Sequence, residues 1–250
     1  MNKPNLVIVH SFPGNSKMLD GYYKFLGDYF NVHPIDLPGF NVDIPPLKKI
    51  QIENYVKYTE KVLQNLPFSR YVLAGLSFGF CVVNRCKVDD RCRSKIALFP
   101  YLNANYLQKM PTRKERFLLR FIRYLHLHRF VYTSTWFRNI LIEKIPKRSL
   151  DIMLKSMDPY TFFELLHRII HYKEEPIFSD HPYVLIVNKE DDTVNGKKII
   201  EQFKELPKAS IIFTDMPHHP GNPSKSYFKK YIPDDDIKKI LRFIEAESDG

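Results

Sequence analysis

Short unbroken apolar runs alternate along this chain with stretches in which apolar residues recur every three or four positions. The runs are LVIV (6–9), YVLAG (71–75), KIALF (95–99), YVLIV (183–187) and SIIFT (210–214), and the more polar NVHPID (31–36), ending at the LPGF turn, reads as a further strand. Runs of this length fit strands with both faces covered, where side chains on either side meet apolar neighbours. The intervening spacing predicts helices over 17–30, 51–65, 78–88, 196–205 and 234–247. Leu19, Tyr22, Tyr23, Leu26 and Phe30 share a face in the first, and Ile52, Tyr55, Val56, Val62 and Leu63 in the second. Strands apolar on both faces and separated by helices predict an α/β fold with a mostly parallel central sheet flanked by helices.

The alternation stops between 101 and 175. No strand pattern occurs there, and three helical patterns take its place: Phe117, Leu118, Phe121, Ile122 and Leu125; Leu150, Met153, Leu154 and Met157; Phe162, Leu165, Leu166, Ile169 and Ile170. The division predicted is a core of 1–100 and 176–250 with an all-helical cap, or lid, inserted over 101–175.

Charge sharpens this picture. The net charge is +10, and residues 101–175 carry 14 Lys/Arg against 7 Asp/Glu, which is most of the excess. Arg113, Arg116, Arg120 and Arg123 are expected opposite the apolar positions of the first cap helix. That face reads either as solvated or as a surface for an anionic group or a membrane. Nucleic acid is not expected, since charge alone favours it and no recognition motif accompanies the charge. No apolar stretch approaches the roughly 20 residues that span a bilayer, and MNKPNLVIVHSF lacks the features of a secretory signal. Cys81, Cys86 and Cys92 are odd in number and form no C-x-x-C pair. Reduced thiols in a cytoplasmic protein are expected.

The candidate chemistry starts at GLSFG, where two of the chain's nine glycines flank Ser77 between a strand and a helix. That context suits a serine nucleophile held on a tight turn. A serine hydroxyl needs a base, a group that orients the base, and donors for an oxyanion. NKEDDTV, after the strand at 183–187, offers Asp191, with Asp192 as alternate. DMPHHP, after the last strand, offers His218, with His219 as alternate. All follow strands, and strand ends converge on one edge of a parallel sheet. The order Ser, Asp, His is the order in which a triad is built on such a sheet. Oxyanion donors would be the backbone N–H groups of Phe78 and of Phe12 in HSFPG. His10 reads as structural. His167 and His171 fall four apart, at metal-ligand spacing, but like His126 and His128 they read as packing or surface residues.

Taken together these motifs resemble the α/β-hydrolase superfamily. HSFPG is similar to its H-G-F-P-G oxyanion segment, DLPGF (36–40) to its D-L-P-G-F-G turn, GLSFG to its nucleophile elbow, NKEDDTV to its G-x-x-D-x-x-V acid motif and MPHHP to its G-H-x-P base motif. The resemblance implies Ser77, Asp191 and His218 as a catalytic triad, with Pro220 two places after the base. It implies a serine hydrolase acting on an ester or thioester through an acyl-enzyme, needing no metal or organic cofactor. The chain begins at the strand before the oxyanion turn, so the family's earlier strands are expected to be missing. Ser11, Asn41, Phe80 and Pro217 stand where the family usually has glycine. Two rival readings remain: an inactive binding protein on the same fold, motivated by those four departures, and a lipase associated with lipid surfaces through the basic cap. Aromatic residues of the cap, Phe117, Phe121, Trp136, Phe137, Phe162 and Phe163, are expected to contribute an apolar acyl or aromatic pocket, with some of them packing the cap to itself instead.

Overall fold

The computed structural model describes residues 3–143, 145–219 and 224–247. Pro220 therefore lies outside the described residues. Six strands, β1 (Asn5–Val9), β2 (Asn31–Ile35), β3 (Tyr71–Leu76), β4 (Cys92–Leu98), β5 (Tyr183–Val187) and β6 (Ala209–Phe213), pair in parallel in the order β2-β1-β3-β4-β5-β6. The edge strand β2 carries Pro34, which an edge tolerates because one side of it makes no ladder bonds.

Helices follow the strands: α1 (Asp20–Leu26), α2 (Ile52–Gln64) and α3 (Phe78–Arg85) after β1, β2 and β3. Between β4 and β5 lie a short 3-10 turn (Ala104–Tyr106) and α4 (Arg113–Tyr124), α5 (His128–Tyr132), α6 (Thr135–Ile142), α7 (Lys147–Ser156) and α8 (Pro159–His171). After β5 and β6 come α9 (Gly196–Lys204), α10 (Lys225–Tyr231) and α11 (Asp234–Ala246). Strand alternation divides the sheet's side chains between two cores. Val7, Val9, Leu73, Leu185 and Val187 join the helices α2, α3 and α9. Leu6, Ile8, Val72, Ala74, Val184 and Ile186 join α1, α10 and α11. Among the described residues no helix is long and apolar enough to cross a membrane.

The β4–β5 segment departs from the sequence reading in two ways. Among its described residues it holds five α-helices, not three, because α5 and α6 are too short to show a periodic signal. It also turns α4 differently. Leu119 and Ile122 are the buried residues of that helix, whereas Phe117, Leu118, Phe121 and Leu125 are exposed. The cause is Arg123, which the sequence reading set on the solvent side. Its guanidinium grips Glu164 of α8 through Nε at 2.6 Å and Nη2 at 2.8 Å, so the Arg123 edge of α4 faces α8. A bidentate ion pair with few solvent contacts fixes helix rotation more firmly than a stripe of apolar residues that water can still reach. The start of α4 is closed by a capping box between Thr112 and Glu115.

The strand order reverses between β1 and β3. Chain segments leaving the ends of those strands diverge there and leave a crevice above the sheet. The loops after β1 and β3 carry the HSFPG turn and Ser77.

Candidate active site

Ser77 joins β3 to α3 with φ 50°, a conformation that costs a side-chain-bearing residue free energy and persists only when its surroundings hold it. They do so from three sides. The Ser77 N–H donates to Leu98 O at 2.8 Å, and its carbonyl accepts from the N–H groups of Phe80 at 2.9 Å and Tyr101 at 3.2 Å. Gly79 sits where a Cβ would fall 2.3 Å from Val9 O and 2.5 Å from His10 O, so only glycine lets α3 start this close to β1. Phe80, a departure from the family pattern, does not crowd the serine. Its ring is buried against Tyr183 and Phe203, at 6.4 and 6.0 Å between centroids.

The loops after β5 and β6 bring an acid and an imidazole to this serine. His218 Nε2 lies 2.9 Å from Ser77 Oγ, and His218 Nδ1 lies 2.9 Å from Asp191 Oδ2. A carboxylate can only accept, so the ring proton belongs on Nδ1 and Nε2 is left to accept the serine proton. The other carboxylate oxygen, Oδ1 of Asp191, accepts from the N–H groups of Thr193 at 2.8 Å and Val194 at 3.0 Å. Burial pushes the Asp191 carboxyl up, but the hydrogen bond and charge of His218 and the two amides outweigh it and hold it below the usual carboxylate range. Asn188 ties the two loops together by donating from Nδ2 to Met216 O at 3.1 Å.

Of the predicted pairs, then, the structure brings Asp191 and His218 to Ser77. Asp192 is exposed and accepts from the Thr193 hydroxyl at 3.1 Å. His219 is exposed, with its ring 5.0 Å from that of His218. Sequence reasoning missed the two amides and Asn188. Asn188 closes β5 just ahead of the acid, and its position in NKEDD was the only available signal.

The turn after β1 is built around His10. Its Nε2 accepts from the Leu37 N–H at 2.9 Å, and Nδ1 therefore donates to Ser11 O at 2.8 Å. Burial pushes this imidazole below its ordinary value more than Asp36, 4.0 Å away, pulls it up. Asp36 in turn accepts from the Ser16 N–H and hydroxyl and from Asn41 Nδ2, at 2.7, 2.6 and 3.0 Å. Asn41 thus replaces a glycine with a side chain that has a definite hydrogen-bonding task. Neither the Phe12 nor the Phe78 N–H donates to another described backbone or side-chain group. The Phe12 ring packs on Phe40 and Phe162.

An apolar cavity opens beside His218 and His219 at Ser11. Met18, Leu19, Leu76, Phe99, Met216 and Phe228 line its interior. None of the six cap aromatics lines it, which corrects the expected pocket, while the packing of some of them within the cap is as expected. Phe117, Phe121 and Trp136 face solvent, and Phe137, Phe162 and Phe163 pack mainly on one another, with centroids 5.3–5.4 Å apart. The cavity instead belongs to α1, α10 and the strand ends, with Ile145 and Pro146 at the start of α7 closing one side.

Cys81, Cys86 and Cys92 are buried free thiols, each pushed up to about 12 chiefly by burial. His167 and His171 stack at 4.3 Å, and no group of three or more metal-ligating side chains occurs among the described residues.

No family model matches the chain. Over 78 residues it is 31% identical to a pimeloyl-[acyl-carrier protein] methyl ester esterase from Nitrosomonas europaea, a match covering 31% of this chain and 29% of that protein. The chain thus matches under a third of the length of that curated relative. Among solved structures it resembles a thermophilic esterase from Thermogutta terrifontis, with a TM-score of 0.67 and 16% identity, covering 97% of this chain and 91% of that one. An epoxide hydrolase from Bacillus megaterium superposes with a TM-score of 0.66 at 12% identity, covering 98% and 95%. MenH from S. aureus does so with a TM-score of 0.59 at 14% identity, covering 99% and 95%. This chain is a protein of the α/β-hydrolase fold over nearly its whole length.

Proposed function

We propose that the chain is a serine hydrolase that cleaves a small carboxylic ester or thioester through an acyl-enzyme. The observation that carries this reading is the continuous relay from Ser77 Oγ to His218 to Asp191, with both links at 2.9 Å. His218 Nε2 takes the Ser77 proton as Oγ attacks the carbonyl carbon, and Asp191 stabilises the imidazolium that forms. The N–H groups of Phe12 and Phe78 receive the oxyanion. When the tetrahedral intermediate collapses, the leaving alcohol or thiol takes the proton from Nε2, and Ser77 keeps the acyl group. Water then attacks that ester, again through His218, and regenerates the serine.

The apolar cavity beside His218 supports a substrate with an apolar acyl part. The Nitrosomonas relative is named for a methyl ester, which supports testing simple esters first. Residues 101–175 act as the cap in this reading. The three buried free thiols favour a reducing compartment, the cytoplasm.

A fluorophosphonate probe tests the proposal. The wild type should be labelled, and Ser77→Ala should lose labelling and ester turnover while keeping its melting temperature. A wild type that resists the probe and hydrolyses no member of an ester and thioester panel would favour the inactive binding protein.

A further inference from the structure

The outward side of α4 is apolar where a solvated helix should be polar. Leu119 and Ile122 are buried and Arg123 is held by Glu164, which fixes the side that packs. At 3.6 residues per turn, Phe117, Phe121 and Tyr124 then fall on the opposite side. They are 70%, 46% and 83% exposed, and the rings of Phe117 and Phe121 stack at 6.5 Å. Leu118 and Leu125 widen the stripe, and Phe130 on α5 is 73% exposed. Arg113 and Arg120 border the aromatic stripe on one side and Lys114 on the other, all exposed. From 113 to 142 the chain has seven Lys/Arg and one acidic residue, Glu115.

A contiguous apolar stripe facing water marks an interaction surface. Its charge selects the occupant. A second copy would bring two basic stripes together, which Coulomb repulsion opposes. Aromatic residues outermost, cations beside them and a helix lying flat are the features of a segment that rests in a lipid interface. We propose that α4 docks on an anionic lipid surface. Phe117, Phe121 and Tyr124 enter the boundary between headgroups and acyl chains, and Arg113, Lys114 and Arg120 meet lipid phosphates. The packed side of α4 rests on α8, and Phe162 of α8 touches Phe12, with centroids 5.3 Å apart. Docking would therefore leave α8 between the lipid-bound helix and the turn beside Ser77. If the hydrolase reading is right, it also favours esters that partition into lipid.

Sedimentation of the full chain with phosphatidylcholine vesicles, with and without phosphatidylserine, tests the proposal. Binding should be at least about tenfold tighter to the anionic vesicles and should weaken with salt. The double variant Arg113→Gln/Arg120→Gln should lose about fivefold for each charge removed. Phe117→Ser/Phe121→Ser should lose about tenfold or more at unchanged charge, without lowering the melting temperature, because both rings are exposed. Equal binding to the two vesicle types overturns the proposal, as does anionic binding that both double variants leave intact. A dimer abolished by Phe117→Ser/Phe121→Ser, without vesicle binding, assigns the face to a second copy. Ser77→Ala should bind vesicles like the wild type, so this test stands or fails separately from the hydrolase reading.

Discussion

Asp191 shows how much of a site's chemistry resides in which atom is already occupied. One of its oxygens is committed to the Thr193 and Val194 amides and the other faces His218 Nδ1. In Asp191→Asn the Thr193 and Val194 N–H groups can only donate and so keep the carboxamide oxygen, which leaves the NH2 facing the imidazole. His218 then has to carry its proton on Nε2, where it blocks removal of the Ser77 proton. On the proposed mechanism kcat should fall by about 10⁴-fold with the fold intact. Steady-state ester hydrolysis and a thermal melt measure the two parts, and a loss below tenfold would remove the orienting role. The residue types here were legible because Ser77, Asp191 and His218 each follow a strand of a parallel sheet. Motif spacing favoured Asp191 and His218 over the neighbouring Asp192 and His219, which stayed as alternates because the geometry depends on how two loops fold back. The amides that settle it have no side-chain signature at all.

At the scale of elements, all six strands were legible: β1, β3, β4 and β5 as apolar runs, and β2 and β6, less buried at the sheet edges, by their place in the alternation with helices. The helix over 225–231 was missed, being short and rich in Lys and Tyr. The rotation of α4 was read wrongly, because hydrophobic spacing reports which residues share a face and not which face packs. Arg123 and Glu164 decide that, and their partnership spans 41 positions of sequence. Arg123→Leu should leave Glu164, nearly buried beside His128, without its main partner. A cost of about 1–2 kcal/mol is expected after allowing for partial exposure, which lowers the melting temperature by about 2–8 °C for a chain of this size. Amides of α4 should exchange faster with deuterium while those of α3 stay protected. Because the penalty comes from stranding one charge, Arg123→Leu/Glu164→Leu should recover part of the loss. If the double variant melts no higher than the single one, the pair does not hold α4 in the way described.

Across the whole molecule, burial pushes His10, His33, His128, His167 and His181 below the ordinary histidine value, His167 to about 4. His167 is faced by Arg123, His171 and Arg168, which add to the depression, and by Glu164, which opposes it. A histidine whose pKa is lower in the folded chain takes up its proton more readily when unfolded. Its contribution is fully present above the unfolded value of roughly 6.5 and declines as pH falls toward the folded value. The carboxyls of Asp36, Glu164 and Asp191 are depressed by their partners, so their contribution persists to lower pH and is lost as pH falls through their folded values. Acid should therefore weaken the protein in two stages, histidines first. A chain that already carries +10 gains further self-repulsion with each proton taken up. Calorimetric melts from pH 7.5 downward should show the melting temperature falling through the window between roughly 6.5 and 4, before carboxylate titration dominates. His167→Gln removes one group that protonates on unfolding and should flatten that slope while leaving the plateau above pH 7 nearly unchanged. A wild-type melting temperature that stays level down to pH 5 would mean that these imidazoles take up protons as readily in the folded chain as in the unfolded one, which contradicts a neutral His10 accepting from the Leu37 N–H.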